Sequence, residues 1–468
     1  MDKRSMEKNF KTVVSATGGQ LIHQGEGRGY SAVSIDSRTL EPGDLFCCIS
    51  GERFDGHNFL PEVIEKGAHG VIVSATDKLP ALDAGQGPFI VRVADTLRGL
   101  QDLAHHYRKQ HALKVVGITG TNGKSTTKEL VASVTATSFE VLKSRGNLNN
   151  HIGLPLNLLR LDNAHEVAIL EMGMSARGEI ARLAEIAEPD IGLITNISEA
   201  HMEHLPTVRD VQAAKGELFA ALTETDCAIV NADDPLVLEL AQSLRARKLT
   251  FGIHNDADVR GTDIQPGPAL GYRFSLNTPG ASHPVHLPFA GRFNLHNAVA
   301  AAACGVALGI APEKIAAGLE RAELMGQRLQ VKDHNGMTLL DDTYNANPKS
   351  MAEALETLAS LQVAGRRFFI VGDMFELGPN ETTAHRILGE QVAQKGIDYL
   401  VAVGERVKTT VDAAVNTGQP KAQALLLDTH EEAAAFLKEK AKPGDALLFK
   451  GSRGAQMEKV LKAFCGDN

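Results

Sequence analysis

Tryptophan is missing from this chain of 468 residues, and phenylalanine and tyrosine hold the aromatic share to 5%. A core must therefore be filled by Ala, Leu, Val and Gly, a composition that suits strands alternating with helices around parallel sheets. Positive charge is also short. The formal net charge of −9 and the lack of a basic tail exclude bulk nucleic-acid binding, so any anionic ligand must be met by local positive sites. No run of about 18 apolar residues occurs, which excludes a helical membrane span. The start, Met1 to Lys11, is charged and has no apolar signal core, so a cytoplasmic protein is expected. The 5 cysteines, with Cys47 and Cys48 adjacent and Cys227, Cys304 and Cys465 scattered, form neither a metal-ligand spacing nor a disulfide framework. Repeats of solenoid length and low-complexity tracts are absent too.

What is present begins with length. A chain of this size exceeds one core and fits two to four domains, with three expected. Short apolar runs such as Leu45-Phe46, Val71-Ile72-Val73 and Ile90-Val91 alternate with turn residues up to Ala94, giving a small α/β unit at 1–94. Helical spacing of Leu97, Leu100, Leu103 and Ala104 leads into a second domain at 95–328. The apolar runs at Phe368–Val371, Tyr399–Val403 and Ala446–Phe449 restart the pattern in a Rossmann-like third domain at 329–468. The fold class is α/β, with mainly parallel sheets.

The segment Thr119-Gly120-Thr121-Asn122-Gly123-Lys124-Ser125-Thr126 is built to hold the phosphates of a nucleoside triphosphate. Val115-Val116-Gly117-Ile118 reads as the buried strand leading in, and Lys128-Glu129-Leu130-Val131 with Val134 as the helix leading out. Gly120 and Gly123 let the backbone bend close to an anion, the helix N-terminus aims N–H groups at it, and Lys124 supplies a charge. Ser125 offers a hydroxyl to Mg²⁺. The spacing departs from G-x-x-x-x-G-K-[ST], because position 118 is Ile and the glycine lies one residue earlier, at Gly117. A plain Gly-rich turn with a solvated lysine is the bland reading, and the strand-turn-helix context argues against it.

Other candidates are weaker singly. Glu171 follows the apolar run Val167–Leu170, at the strand end where parallel sheets place ligands, and a carboxylate there suits Mg²⁺. His201 lies in the polar loop Thr195-Asn196-Ile197-Ser198-Glu199-Ala200-His201 at the same kind of edge. Lys215 shares a helical stripe with Val208, Val211, Leu218, Phe219 and Leu222, behind a capping box formed by Thr207 and Asp210. Desolvated there, its amine would lose its proton easily and react with CO₂ to an anionic carbamate. On the residues alone, the reading in which its stem covers the stripe and its ammonium reaches water is favoured. Asn147, Asn149 and Asn150 fit phosphate or amide binding and equally fit turns. Ser34, Asp36, Ser37 and Arg38 fit a diphosphate grip with the same ambiguity.

Taken together these residues resemble the Mur ligases, ATP-dependent amide-forming enzymes of peptidoglycan precursor synthesis. The matching segments are Thr119 to Ser125, Glu171-Met172-Gly173, Thr195-Asn196 with His201, Ala214-Lys215-Gly216-Glu217-Leu218-Phe219, Gly291-Arg292-Phe293-Asn294-Leu295-His296-Asn297, and Arg328. Ser34-Ile35-Asp36-Ser37-Arg38 before them and Asp341 to Pro348 after them extend the resemblance over nearly the whole chain. The third-domain segments Val371 to Gly378 and Lys450-Gly451-Ser452-Arg453-Gly454 resemble the member that adds D-alanyl-D-alanine to UDP-N-acetylmuramoyl tripeptide.

The resemblance implies a carbamylated Lys215. It also implies Lys124 on the β- and γ-phosphates of ATP, and a Mg²⁺ cluster held by Ser125, Glu171, His201 and the carbamate. Gly120, Thr121, Asn122, Gly123 and Thr126 would complete the phosphate cradle, with Asn294 and Asn297 on the adenine side, Arg328 on a phosphate and Asp342 on the ribose. Tyr344 and Asn345 join Ser34, Asp36, Ser37, Arg38 and the three asparagines as expected substrate contacts. Many members carry His where this chain has Phe293, so no side-chain contact carries over to that position. A monomer acting on UDP-N-acetylmuramoyl tripeptide and D-alanyl-D-alanine is expected, with no membrane insertion. Two alternatives remain: the sister ligase that adds diaminopimelate or lysine, whose Asp-Asn-Pro-Arg segment is absent here, and a P-loop regulator without ligase chemistry.

Overall fold

The computed structural model describes residues 8–51 and 54–466. Met1 to Glu7, part of the segment read as lacking a signal core, lie outside the described residues. Among those described, no helix is long and apolar enough to cross a membrane. The chain gathers into two compact units, one formed by 1–117, 139–173 and 179–190, the other by 118–138, 174–178 and 191–468.

The first unit opens with a five-stranded sheet in the order Gln20–His23, Phe89–Arg92, Gly70–Val73, Leu45–Cys47, Val33–Ser34. Only its first pair is antiparallel; the others are parallel. Gly70–Val73 is buried throughout, as expected for a strand covered on both faces. Asp95 caps the following helix, Thr96–Gln110, by accepting the backbone N–H groups of Leu97 and Arg98. Further along the same unit, Val141–Lys143 and Val167–Glu171 pair in parallel. The latter strand runs one residue beyond the apolar run, so Glu171 is its last residue. The helix Gly153–Leu158 follows an Asn turn in which the Asn150 carboxamide oxygen accepts the Gly153 N–H at 2.8 Å.

In the second unit the phosphate loop feeds the helix Lys124–Thr135. Two helices close on it, Phe293–Ala307 and Pro312–Glu320. The first begins at Phe293, which brings Asn294 onto its opening turn. Strands run Ile191–Ile194, Cys227–Asn231, Arg247–Gly252 and Val259–Pro266 in parallel, then Tyr272–Thr278 and Ala281–Leu287 antiparallel. That antiparallel extension has no counterpart in the sequence reading. Its strands alternate buried and open residues, and their polar members (Arg273, Ser275, Asn277) hide the apolar runs by which strands were recognised.

The C-terminal sheet, in the same unit, is ordered Gln330–His334, Met337–Asp342, Ala446–Lys450, Arg367–Gly372, Tyr399–Val403, Ala424–Leu427. Its first pair is antiparallel and the rest parallel, with helices burying Leu355, Leu358 and Leu388 on one face and Ala433, Leu437 and Val460 on the other. The whole is a three-domain α/β protein of mixed, mostly parallel sheets.

Close approach of backbone to backbone fixes the phosphate-loop helix. Ser133 Oγ donates to the Gly318 carbonyl at 2.6 Å, and a Cβ at Gly318 would meet Val134 Cα at 2.6 Å. Alanine gains about 1 kcal/mol of helix propensity over glycine, and overpacking against main chain costs about 1–3 kcal/mol. Gly318→Ala is therefore expected to lower the urea midpoint, with m unchanged, whereas propensity alone would raise it.

Candidate nucleotide site

The phosphate loop is stapled to the loop that follows the strand Ile191–Ile194. Thr121 N donates to Asn196 O at 2.9 Å, Asn122 N to Asn196 Oδ1 at 3.1 Å, and Thr195 Oγ1 to Asn122 O at 2.6 Å. Gly120 sits at φ +148°, and a Cβ there would lie 1.8 Å from Thr195 Oγ1, so only glycine permits this approach. Lys124 heads the helix and folds over the loop, its Nζ donating to the Gly120 and Thr121 carbonyls at 2.9 and 3.1 Å. Ser125 is buried in the same turn, and its Oγ accepts from Arg328 Nη2 at 2.9 Å.

Behind the loop an asparagine ladder ties two helices together. Thr127 Oγ1 donates to Asn297 Oδ1 at 3.2 Å, Asn297 Nδ2 to Asn294 Oδ1 at 3.0 Å, and Asn294 Nδ2 to the Ala290 carbonyl at 2.7 Å. Asn297 lines a cavity of about 240 Å³ shared with Asn122, Asn231, Phe251, Phe293 and His296. Asn294 is spent within the ladder. Phe293 supplies an apolar wall. Sequence reading gave His296 no role and passed over Asp233; the two face each other at 3.2 Å. Burial opposes the Asp233 charge, yet backbone donors at Ile253, Asn255 and His254 hold its carboxyl below the usual range, while burial lowers His296 despite that neighbour. The segment Asn231-Ala232-Asp233-Asp234 after an apolar strand was the available signal.

Lys215 lies within the helix Val208–Ala220, whose Thr207–Asp210 capping box is formed. It is 2% exposed and makes no hydrogen bond or ion pair among the described residues, so its ammonium does not reach water. Burial first, and then the charge of Lys124, push its pKa well below the ordinary lysine value. His201 sits in the left-handed region at φ 56°, with Nδ1 2.7 Å from Glu376 Oε2. That contact holds the Glu376 carboxyl below the usual range. Arg328 lies 4.0 Å over the Tyr344 ring, Asp342 pairs with Lys450 at 2.5 Å, and the Asn345 carbonyl accepts from the same ammonium at 3.0 Å. Asn347, within the matching segment Asp341 to Pro348 but given no role there, caps its helix and donates to Asn122 Oδ1 at 2.7 Å.

The first unit holds the remaining candidates. Glu171 is 2% exposed, and Asn149 Nδ2 donates to it at 2.8 Å. Asn150 Oδ1 accepts the Gly153 N–H, and Asn147 is exposed. Arg38 forks onto Asp36 at 2.9 and 2.7 Å, which lowers the Asp36 carboxyl to about 2, and Ser34 Oγ accepts from Asp36 N at 3.2 Å. The Ser37 carbonyl accepts from Lys66.

No group of three or more His, Cys, Asp or Glu side chains among the described residues is arranged to hold a metal. Mg²⁺ suits such a site, since it keeps several waters and relies on few protein oxygens plus substrate phosphates. Ser125, buried at the head of the helix, is the donor that fits.

The Mur ligase middle domain matches residues 118–305, the Mur ligase glutamate ligase domain residues 327–453, and the Mur ligase family catalytic domain residues 29–108. The UDP-N-acetylmuramoyl-tripeptide--D-alanyl-D-alanine ligase of Bacillus subtilis is 36% identical over 459 residues, 98% of each chain. The chain belongs to the Mur ligase family. Crystal structure I of MurF from Acinetobacter baumannii is similar at TM-score 0.87 and 33% identity over 100% of both chains. MurF ligase from Thermotoga maritima in complex with ADP follows at 0.82 and 28%, over 93% of this chain and 97% of that one.

An uncarbamylated Lys215 makes stability depend on pH in a particular direction. The unfolded chain binds the lysine proton more tightly, so stability rises with pH from the depressed folded value up to about 10.5. In CO₂-free buffer, Lys215→Met is expected to gain roughly 1 kcal/mol or more at pH 7, a gain that shrinks toward pH 10. Urea unfolding across that range checks it; a constant difference would contradict the burial account.

Proposed function

We propose that this Mur ligase joins D-alanyl-D-alanine to UDP-N-acetylmuramoyl tripeptide at the expense of ATP. The observation that carries the reading is a phosphate loop with Lys124 folded over it and a dry, unpaired Lys215 in the same unit. The tripeptide carboxylate oxygen attacks the γ-phosphorus, the bond to the bridging oxygen breaks, and ADP leaves. The amine of D-alanyl-D-alanine then attacks the acyl carbon, losing a proton as phosphate departs. A free carboxylate resists this attack because its leaving group is poor, and phosphorylation supplies a better one.

The residues divide these tasks. Backbone N–H groups at the head of the helix Lys124–Thr135 face the transferring phosphate, and Lys124 offsets its growing charge. Arg328 stands beside Ser125 for the same purpose. The cavity walled by Phe251 and Phe293 suits the adenine, with Asn297 at its edge. Mg²⁺, when bound, neutralises phosphate oxygens and aligns them; Ser125, Glu171, His201 and a carbamate on Lys215 are the residues we assign to it. The carbamate reading is supported by the burial of Lys215, since a neutral amine is the form whose nitrogen attacks the carbon of CO₂, losing a proton as the carbamate forms. Ser34, Asp36, Ser37 and Arg38 are assigned to the uridine diphosphate, with Asn147, Asn149, Asn150, Tyr344 and Asn345 to the rest of the substrate. Domain limits at 1–94, 95–328 and 329–468, a monomer and a cytoplasmic site complete the reading.

Phosphate release from ATP tests it. With UDP-N-acetylmuramoyl tripeptide, D-alanyl-D-alanine is expected to stimulate release, and free diaminopimelate or lysine is not. Stimulation by the diamino acids instead would transfer the chain to the sister activity. Lys215→Ala is expected to lose at least about 100-fold in kcat, the scale of removing one transition-state charge, and to recover part of it with short carboxylic acids. A fully active variant would remove Lys215 from the mechanism.

A further inference from the structure

Asp342 and Lys450 end neighbouring parallel strands, and the register sets them directly opposite each other at the carboxyl edge of the C-terminal sheet. Lys450 is 3% exposed, and its ammonium is divided between Asp342 Oδ2 at 2.5 Å and the Asn345 carbonyl at 3.0 Å. The other oxygen of Asp342 accepts the backbone N–H of Leu329 at 3.1 Å. One residue earlier is Arg328, and before it Gln327, whose carbonyl accepts Tyr344 N at 3.1 Å. Gln327 and Leu329 both occupy the left-handed region, at φ 65° and 51°.

Left-handed backbone at a non-glycine residue is strained and survives only where neighbours over-determine it. Here two such residues bracket one arginine. The turn they make is held by the Asp342 and Tyr344 tethers, and it delivers the Arg328 guanidinium to Ser125 Oγ at 2.9 Å and onto the Tyr344 ring. We propose that Lys450 is a positioning residue for nucleotide turnover: by clamping Asp342 onto the Leu329 amide, it fixes the strained turn that presents Arg328 to the phosphate loop. Stability alone gives poor return for this lysine, because the desolvation of a buried ammonium is barely offset by one ion pair. What the pair imposes is a direction. Burial already holds the Asp342 carboxyl above its usual range against the pull of Lys450 and Arg328, so without the lysine it would neutralise and loosen its hold.

The inference rests on the ATP reading and is tested beside it. ATP affinity is measured by titration calorimetry, with magnesium present, for the unmodified chain, Asp342→Asn, Lys450→Met and the double variant, together with KM for the UDP-linked tripeptide. No ATP binding by the unmodified chain defeats the nucleotide reading itself. Given that binding, Lys450→Met is expected to weaken ATP at least about tenfold with the tripeptide KM within twofold. The double variant should match Asp342→Asn within twofold, because both changes cut one tether. Lys450→Met binding ATP like the unmodified chain, or a double variant weakened by the product of the single effects, overturns the proposal. Should the unpaired carboxylate keep Lys450→Met from folding, the double variant buries neither charge and decides alone: equality with Asp342→Asn supports the clamp, and a further tenfold loss refutes it.

Discussion

Two lysines whose charges oppose each other constrain the nucleotide site. Lys124 has carbonyl oxygens to hold its ammonium over the phosphate loop. Lys215, in the same unit, has no partner among the described residues, almost no exposure to solvent, and the field of Lys124 against it. Coulomb repulsion and desolvation act in one direction here, and losing the proton relieves both. A neutral, dry amine is a nucleophile, and conversion to a carbamate would reverse its sign, turning a repelled neighbour of Lys124 into an attracted one. The chemistry assigned to the site follows from that inversion.

The surrounding architecture keeps the geometry tight enough for such small charges to matter. The loop is bonded to Thr195 and Asn196 on one side, and its helix is gripped through the Asn297 ladder and the glycine contact at Gly318 on the other. Arg328, in the turn before the C-terminal sheet, and Asn347, the cap of the helix Pro348–Ser360, reach Ser125 and Asn122. The phosphate loop and the C-terminal domain are thereby connected through short polar contacts, beside apolar packing of Ala290 and Phe293 on the C-terminal core. A site assembled this way suits an enzyme that must exclude water from an acyl phosphate and later release its products.

Much of this was legible in the residues, for physical reasons. Buried parallel strands are continuous apolar runs, so Val115–Ile118, Val167–Leu170 and Phe368–Val371 declared themselves, and the glycine turn before Lys124 named its ligand class. The Thr207–Asp210 capping box was readable because it is local. Hidden residues act across long separations. Lys450 meets Asp342 across 108 positions, Asn347 meets Asn122 across 225, and Glu376 meets His201 across 175. No periodicity records such pairs. The antiparallel strands from Val259 to Leu287 escaped for the opposite reason, their half-open faces diluting the apolar signal. For Lys215 the stripe was visible but its depth was not, and depth decides between a snorkelling ammonium and a reactive amine.

Carbon-13 NMR of the purified protein equilibrated with labelled bicarbonate tests the central claim most directly. One protein-bound carbamate resonance is expected, lost on substitution of Lys215 and discharged when acid strips the CO₂. A spectrum with free bicarbonate alone, from protein that still turns over ATP, would contradict it.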